Sequence, residues 1–175
     1  MNAASQRTQA DRHRSGRHLA RRLAMPGFTT IELLVVVAIA SILAAMATPS
    51  LTTLIARQNA KSTGSELFFA LLRTRSEAVA RNTNLTLAPS TGGDWRLGWQ
   101  LPDPANPANL LDSHGISKVA TITGPDSVVY DGSGRIKGGV APVFVIKALV
   151  GATPIYQCVS VDLGGRPYQK ADSTC

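Results

Sequence analysis

The chain has 175 residues, of which 44% are hydrophobic, 5% aromatic and 17% charged, and it carries a formal net charge of +7. That length suits one modest domain with an attached segment. Six of the 18 Lys and Arg side chains and one of the 11 acids lie in residues 1–27, so this stretch carries +5 and the rest only +2. The basicity is an N-terminal feature, and net charge alone does not make the body of the protein a nucleic-acid binder.

The N-terminal arginines (Arg7, Arg12, Arg14, Arg17, Arg21 and Arg22) precede a run of 20 residues, Phe28 to Ala47, whose only charge is Glu32. A basic tail before such a run holds its start on the cytoplasmic side of a membrane. At about 1.5 Å per residue, a helix of this length spans roughly the 30 Å of a bilayer core. The spacing therefore predicts a transmembrane helix over 28–48. A carboxylate inside it costs about 2.5 kcal/mol or more on insertion scales, so Glu32 has a use. Pro49 follows, where a missing N–H kinks or locally breaks a helix.

A cleaved secretory signal is the competing reading, with Ala44, Ala45 and Ala47 before the cut. The apolar run is longer than a signal core, however, and the helical pattern continues beyond it. Leu51, Leu54, Ile55, Leu67, Phe68, Leu71, Leu72, Ala78 and Val79 recur at steps of three and four, with Arg57, Lys61, Glu66, Arg73, Arg75 and Arg81 largely between them. Residues 49–82 are read as an amphipathic continuation, with Gly64 its weak point.

From 83 to 175 the texture changes to short β-prone runs between Gly, Pro, Asn, Asp and Ser. Strands are expected at 84–88, 95–101, 118–122, 127–130, 143–150, 155–162 and 166–169, with residues 102–115 a loop. Trp95 and Trp99 would share one strand face, which points to core packing. The expected architecture is α+β, a long helix packed on an antiparallel sheet or sandwich. Cys158 and Cys175 lie within the last 18 residues. Outside the cytoplasm a disulfide is their natural state. Two unpaired thiols are the alternative, and zinc is disfavoured because no histidine lies nearby.

No nucleophile and base constellation stands out. His13 and His18 lie in the basic leader, and His114 stands alone in a Pro- and Asn-rich loop. HExxH, GxSxG, P-loop and CxxC patterns are absent. No enzyme activity, metal or cofactor is expected.

Gly27, Phe28, Thr29, Thr30, Ile31, Glu32, Leu33 and Leu34 resemble the class III signal of type IV pilins and pseudopilins. The resemblance implies that a prepilin peptidase removes a leader, 1–27, by cutting between Gly27 and Phe28, methylates Phe28, and leaves 148 of the 175 residues. The leader is long for the family. In such filaments the glutamate pairs with the N-terminal amine of a neighbouring subunit, so Glu32 is implied to drive assembly and set register. Pro49 matches a proline at which family helices bend or melt during packing. The segments DWRLGWQL (94–101), VVYDGSGRI (128–136) and CVSVDLGGRPYQK (158–170) resemble recurring segments of the GspH/FimT (FimU-like) family. A cysteine before the Gly-Arg turn and another at the end are more similar to its pilus members than to its secretion members.

The resemblance implies a minor pilin of a type IV pilus priming or tip complex. A GspH-like pseudopilin of type II secretion is the alternative, and a FimT-like DNA-binding minor pilin for natural transformation is a further one. Implied partners are other minor pilins or pseudopilins, the major pilin, prepilin peptidase and inner-membrane lipid. The implied location is a single pass in the bacterial inner membrane with the 83–175 domain periplasmic, then the filament tip. Some FimT-like members take up DNA through a Gly-Arg-x-Arg motif. Gly165, Arg166, Pro167 and Tyr168 stand at its place, with tyrosine where the second arginine would be. Arg166, Tyr168 and Lys170, with Arg135 and Lys137 in the other Gly-rich turn, are the candidate DNA-binding residues. An ordinary solvated β-turn is the competing reading.

Overall fold

The computed structural model describes residues 27–175, without the side chains of residues 46–50. The leader lies outside the described residues. The chain divides into two compact units after Ser41. A single helix, α1 (Thr30–Arg81), supplies residues to both, and it continues through Pro49 and Gly64.

In the first unit the side chains of α1 are exposed on every side, among them Ile31, Leu34, Val37 and Ile39. Among the described residues no helix is long and apolar enough to cross a membrane. The span expected over 28–48 runs into residues 46–50, whose side chains are not described.

In the second unit α1 becomes one-sided. Ala56, Ala60, Leu67, Ala70, Leu71 and Ala78 are buried at helical spacing, and Leu67, Leu71 and Ala78 are wholly inaccessible. Thr74 is buried on the same stripe, where its hydroxyl donates back to the Ala70 carbonyl at 2.7 Å and so leaves no polar group unpaired. The helix ends in a Schellman motif. Asn82, at φ 47°, donates from its N–H to the Val79 carbonyl, and Thr83 donates to Ala78. Asparagine tolerates the left-handed conformation that this stop requires.

Eight strands follow: β1 (Leu85–Pro89), β2 (Trp99–Pro102), β3 (Leu110–His114), β4 (Thr121–Thr123), β5 (Val128–Tyr130), β6 (Val143–Val150), β7 (Thr153–Val161) and β8 (Pro167–Lys170). They form two four-stranded sheets, ordered β3-β2-β1-β5 and β4-β6-β7-β8. Every pairing is antiparallel. The β6–β7 hairpin is in register from Val143–Ser160 to Val150–Thr153, and Gly151 adopts φ 56° in its two-residue turn.

One apolar cluster joins the helix stripe to both sheets. Leu85, Leu87, Trp99 and Leu101 come from the first sheet, and Phe144, Ile146, Val159 and Val161 from the second. Trp95 meets Phe144 edge to face at 4.8 Å. This is the α+β architecture expected of the sequence.

Several expectations need correction. The strand expected at 118–122 is confined to β4, Thr121–Thr123. Residues 95–101 are not one strand: Trp95–Leu97 form a 3-10 turn, and β2 starts only at Trp99. The Asp94 carboxylate accepts from the Arg96 N–H, which caps this turn, and Gly98 at φ 115° leads out of it. Both tryptophans are buried as expected, but they reach the core from different elements. The indole N–H of Trp95 donates to the Pro125 carbonyl at 2.7 Å. Residues 102–115 are not all loop, because β3 pairs with β2 from Trp99–His114 to Pro102–Leu110, with a bulge at Leu101–Pro102.

Gly64 is buried and is not a break in the helix. A Cβ there would lie 2.8 Å from Gln157 Cγ on β7 and 2.8 Å from Gln169 Nε2 on β8. Glycine thus lets the helix backbone approach the second sheet. Replacing it by a branched side chain should overpack this contact at a cost of about 1–3 kcal/mol. Gly64→Val is therefore expected to lower the thermal midpoint by several degrees in a melting experiment, and an unchanged midpoint would refute the close-approach role.

Candidate functional site

The apolar segment begins with a capping box. The Thr29 backbone N–H donates to Glu32 Oε2 at 2.8 Å and its hydroxyl to the same oxygen at 3.0 Å, while the Glu32 N–H donates to Thr29 Oγ1 at 3.2 Å. These bonds satisfy donors that the first turn of a helix otherwise leaves open. Threonine three residues before glutamate is a sequence signature of such a start, and it was legible in TTIE. The carboxylate is exposed. Its second oxygen, Oε1, has no partner among the described residues, so a cation from another chain can reach it without breaking the cap. Gly27 and Phe28 are exposed just ahead of it, Phe28 at 84%.

A second constellation lies in two turns that the sequence presents as a repeat, Asp-x-x-Gly-Arg at 131–135 and at 162–166. In each, the Asp N–H donates to the Arg carbonyl and the Gly N–H donates to the Asp carbonyl. The Asp carboxylate accepts the Arg backbone N–H, at 3.1 Å in the first turn and 2.9 Å in the second. Asp131 also accepts the Ser133 hydroxyl at 2.6 Å, which holds its carboxyl below the usual carboxylate range, helped by the Arg135 N–H. Gly134 and Gly165 sit at φ 77° and 82°, and both are buried.

The turns come from different sheets and meet. A Cβ on Gly165 would collide with the Gly134 carbonyl oxygen. Arg75 of α1 joins them: its Nε donates to the Gly134 carbonyl at 3.1 Å and its Nη2 to the Gly164 carbonyl at 3.3 Å. Burial beside these turns pushes the Tyr130 hydroxyl well above its usual pKa, against an opposing pull from Arg75.

Arg135 and Arg166 leave corresponding turn positions for solvent, Lys137 is exposed in the turn that follows the first, and Tyr168 and Lys170 are exposed on β8. The structure thus gathers the five basic and aromatic candidates around one pair of turns. Their charge is largely balanced, since Asp131 and Asp162 belong to the turns and Lys170 Nζ pairs with Asp172 at 3.1 Å. Sequence reasoning missed Arg75. The repeat itself was the available signal, because two such turns expose carbonyls that a cation can bridge.

Cys158 on β7 and Cys175 form a disulfide with a Cα–Cα distance of 5.7 Å. It fastens the chain end to the strand that pairs with β8. His114 is not isolated. Its ring stacks on Trp99 at 4.0 Å, and its Nε2 lies 3.4 Å from Glu66 on α1.

Two measurements probe these arrangements. Gly165→Ala should cost about 1–3 kcal/mol from backbone strain before any collision is counted, and Arg75→Met about 2 kcal/mol from lost charge-assisted bonds. Denaturant unfolding with intact midpoints in both variants would show that the turns do not depend on this clamp. Cys175→Ser opens a loop with a sequence separation of 17 and should cost about 3 kcal/mol. That loss should be matched by the reduced wild-type protein in the same titration.

Residues 63–165 match the family described as Type II transport protein GspH. Among curated proteins none matches. Two crystal structures of the Pseudomonas aeruginosa type IV minor pilin FimU share the fold, with TM-scores of 0.55 and 0.54 at 21% and 20% identity. The similarity covers 68% and 66% of this chain and 96% and 98% of theirs. Since the matched residues, 63–165, make up more than half of the chain, the protein belongs to the GspH family.

Proposed function

We propose that this chain is a minor pilin of a type IV pilus, built into its priming or tip complex. The observation that carries the reading is the division of α1: an exposed apolar part that starts at a capped carboxylate, then a part packed under two sheets. Such a chain has apolar surface on its first part that it cannot bury by itself and a domain that is closed without it. Lipid and then neighbouring subunits supply the missing cover.

In this reading prepilin peptidase cuts after Gly27 in the inner membrane and methylates Phe28. Residues 28–48 anchor the subunit in a single pass, and the β domain is periplasmic until the filament forms. Glu32 Oε1 meets the N-terminal amine of a neighbour, which costs little because Oε2 stays in the cap and two opposite charges attract strongly in an apolar bundle. The partners are other minor pilins and the major pilin. The work is assembly, with no chemistry of its own.

A GspH-like pseudopilin of type II secretion has the same anchor and helix, and the family's description favours it. The Cys158–Cys175 disulfide supports the pilus reading, since it resembles the pilus members. Deleting the chromosomal copy and scoring twitching beside exoprotein secretion separates the two. Lost twitching with intact secretion is expected, and the reverse result assigns the protein to secretion. Glu32→Ala should be cleaved normally but enter filaments at a severalfold lower level, and normal incorporation would remove the charge-pairing role.

The DNA-binding reading has one observation in its favour, the pairing of Arg135 and Arg166 on adjoining turns. Three acids, Asp131, Asp162 and Asp172, stand among the four basic residues. Phosphate contacts weaken steeply with salt, so a site of this balance should bind duplex DNA only at low ionic strength. An electrophoretic shift that persists at physiological salt and is lost in Arg135→Ala/Arg166→Ala would restore the reading.

A further inference from the structure

We propose that the end of the second unit that follows the apolar run of α1 docks on an anionic phospholipid surface before the subunit is assembled. The inference rests on the reading that residues 28–48 are inserted in a membrane.

The placement of charge carries it. After Glu32 the helix has no charged residue until Arg57 and Lys61, and no acid until Glu66. Arg57 and Lys61 are exposed and line one hollow with Tyr156 and Gln157 of β7. On the other flank of the helix, exposed Lys118 lines a second hollow with Ile55, Asn59 and Leu149. The β6–β7 hairpin, 143–161, adds Lys147 and contains no acid. Among the described residues none of these four cations has a carboxylate partner.

The rest of the unit is built differently. Arg73 pairs with Asp112, Arg81 with Glu77 and Asp103, Arg96 with Asp94, and Lys170 with Asp172. Among the described residues Arg135, Lys137 and Arg166 have no ion pair either, but the carboxylates of Asp131 and Asp162 stand in their turns. The four cations after the apolar run have no such acid built into their elements, and apolar side chains that remain in water lie among them. Leu51, Leu54 and Ile55 are 57%, 63% and 51% exposed, and Leu149 on the hairpin is 48% exposed.

Apolar side chains interleaved with cations, and free of acids, fit the interface of an anionic bilayer. The aliphatic stems of Lys and Arg lie along such a surface while their heads meet phosphates. Arg57 comes ten residues after Ala47, about 15 Å along a helix, so tilting at the membrane surface brings this end within reach of headgroups. A protein partner would also be attracted to the patch, but the chain's own anchor already holds it beside lipid.

The test uses the full chain in vesicles of phosphatidylcholine, with or without phosphatidylglycerol. A fluorophore is attached at Leu149→Cys, and its quenching by headgroup-labelled lipid is measured. Quenching at least twofold stronger in the anionic vesicles is expected, falling to the neutral-lipid level at high salt, where exposed charges are screened. Arg57→Glu/Lys61→Glu should abolish the difference, and Lys118→Glu should reduce it, with unchanged melting of both variants as the folding control. Equal quenching in the two lipids, or quenching indifferent to salt and to these variants, overturns the proposal. Flotation of the same samples separates the two readings. A chain that does not float with either vesicle refutes membrane insertion and the docking with it, whereas a chain that floats without differential quenching refutes docking alone.

Discussion

Burial of one face of α1 between Ala56 and Ala78 is the interaction on which the rest of the structure depends. The sheets are small, with strands of three to nine residues, and neither alone encloses a core. The helix stripe gives both sheets a common apolar surface, and Leu67 and Leu71 become fully inaccessible under it. Two features adapt the stripe to sheets that approach at different distances. Gly64 removes a side chain where β7 and β8 come close, and Arg75 extends a long one to the turns beyond. The same helix leaves its first part without cover. Folding of the domain and an exposed apolar surface thus arise from one element with two patterns.

The helix was legible in the sequence because its apolar positions recur at steps of three and four through Ala78. The two strands of the β6–β7 hairpin were legible from composition, since VFVIKALV and the run that follows it are rich in β-branched residues. β3 was not, because LLDSH follows a Pro- and Asn-rich stretch and has no strong strand propensity. Its pairing with β2 is decided by tertiary contacts: Trp99 stacks on His114, and Asp112 and His114 meet Arg73 and Glu66 of the helix. Trp95 was misassigned because a local hydrogen bond from Arg96 to Asp94 competes successfully with an extended backbone. The four-residue interval between the tryptophans suggested one strand face, yet their shared burial comes from two elements.

The candidate residues divide in the same way. Those in continuous motifs, Gly27, Phe28 and Glu32, were visible without a structure. Those that depend on distant segments meeting were visible only as separate turns. The two Asp-x-x-Gly-Arg sequences lie 31 positions apart, and nothing in either one states that they touch. Their contact follows from the sheet order, which puts β5 at the edge of one sheet and β8 at the edge of the other. Arg75 is the residue whose importance was hardest to read, since an arginine between apolar helix positions usually means a solvated face.

The acids in these turns also explain why a cluster of arginines need not be a nucleic-acid site. Asp131 and Asp162 are required by the turn geometry, because each accepts the backbone N–H of the arginine that follows the glycine. The turn that projects an arginine therefore carries a carboxylate beside it, and the local field is close to neutral. At the other end of the unit, Arg57, Lys61 and Lys118 are set by helix and loop positions that impose no such acid. Local charge balance in this unit thus follows from which backbone devices need carboxylates: the cations at Arg57, Lys61 and Lys118 have no acid built in beside them, while the two arginine turns stay nearly balanced.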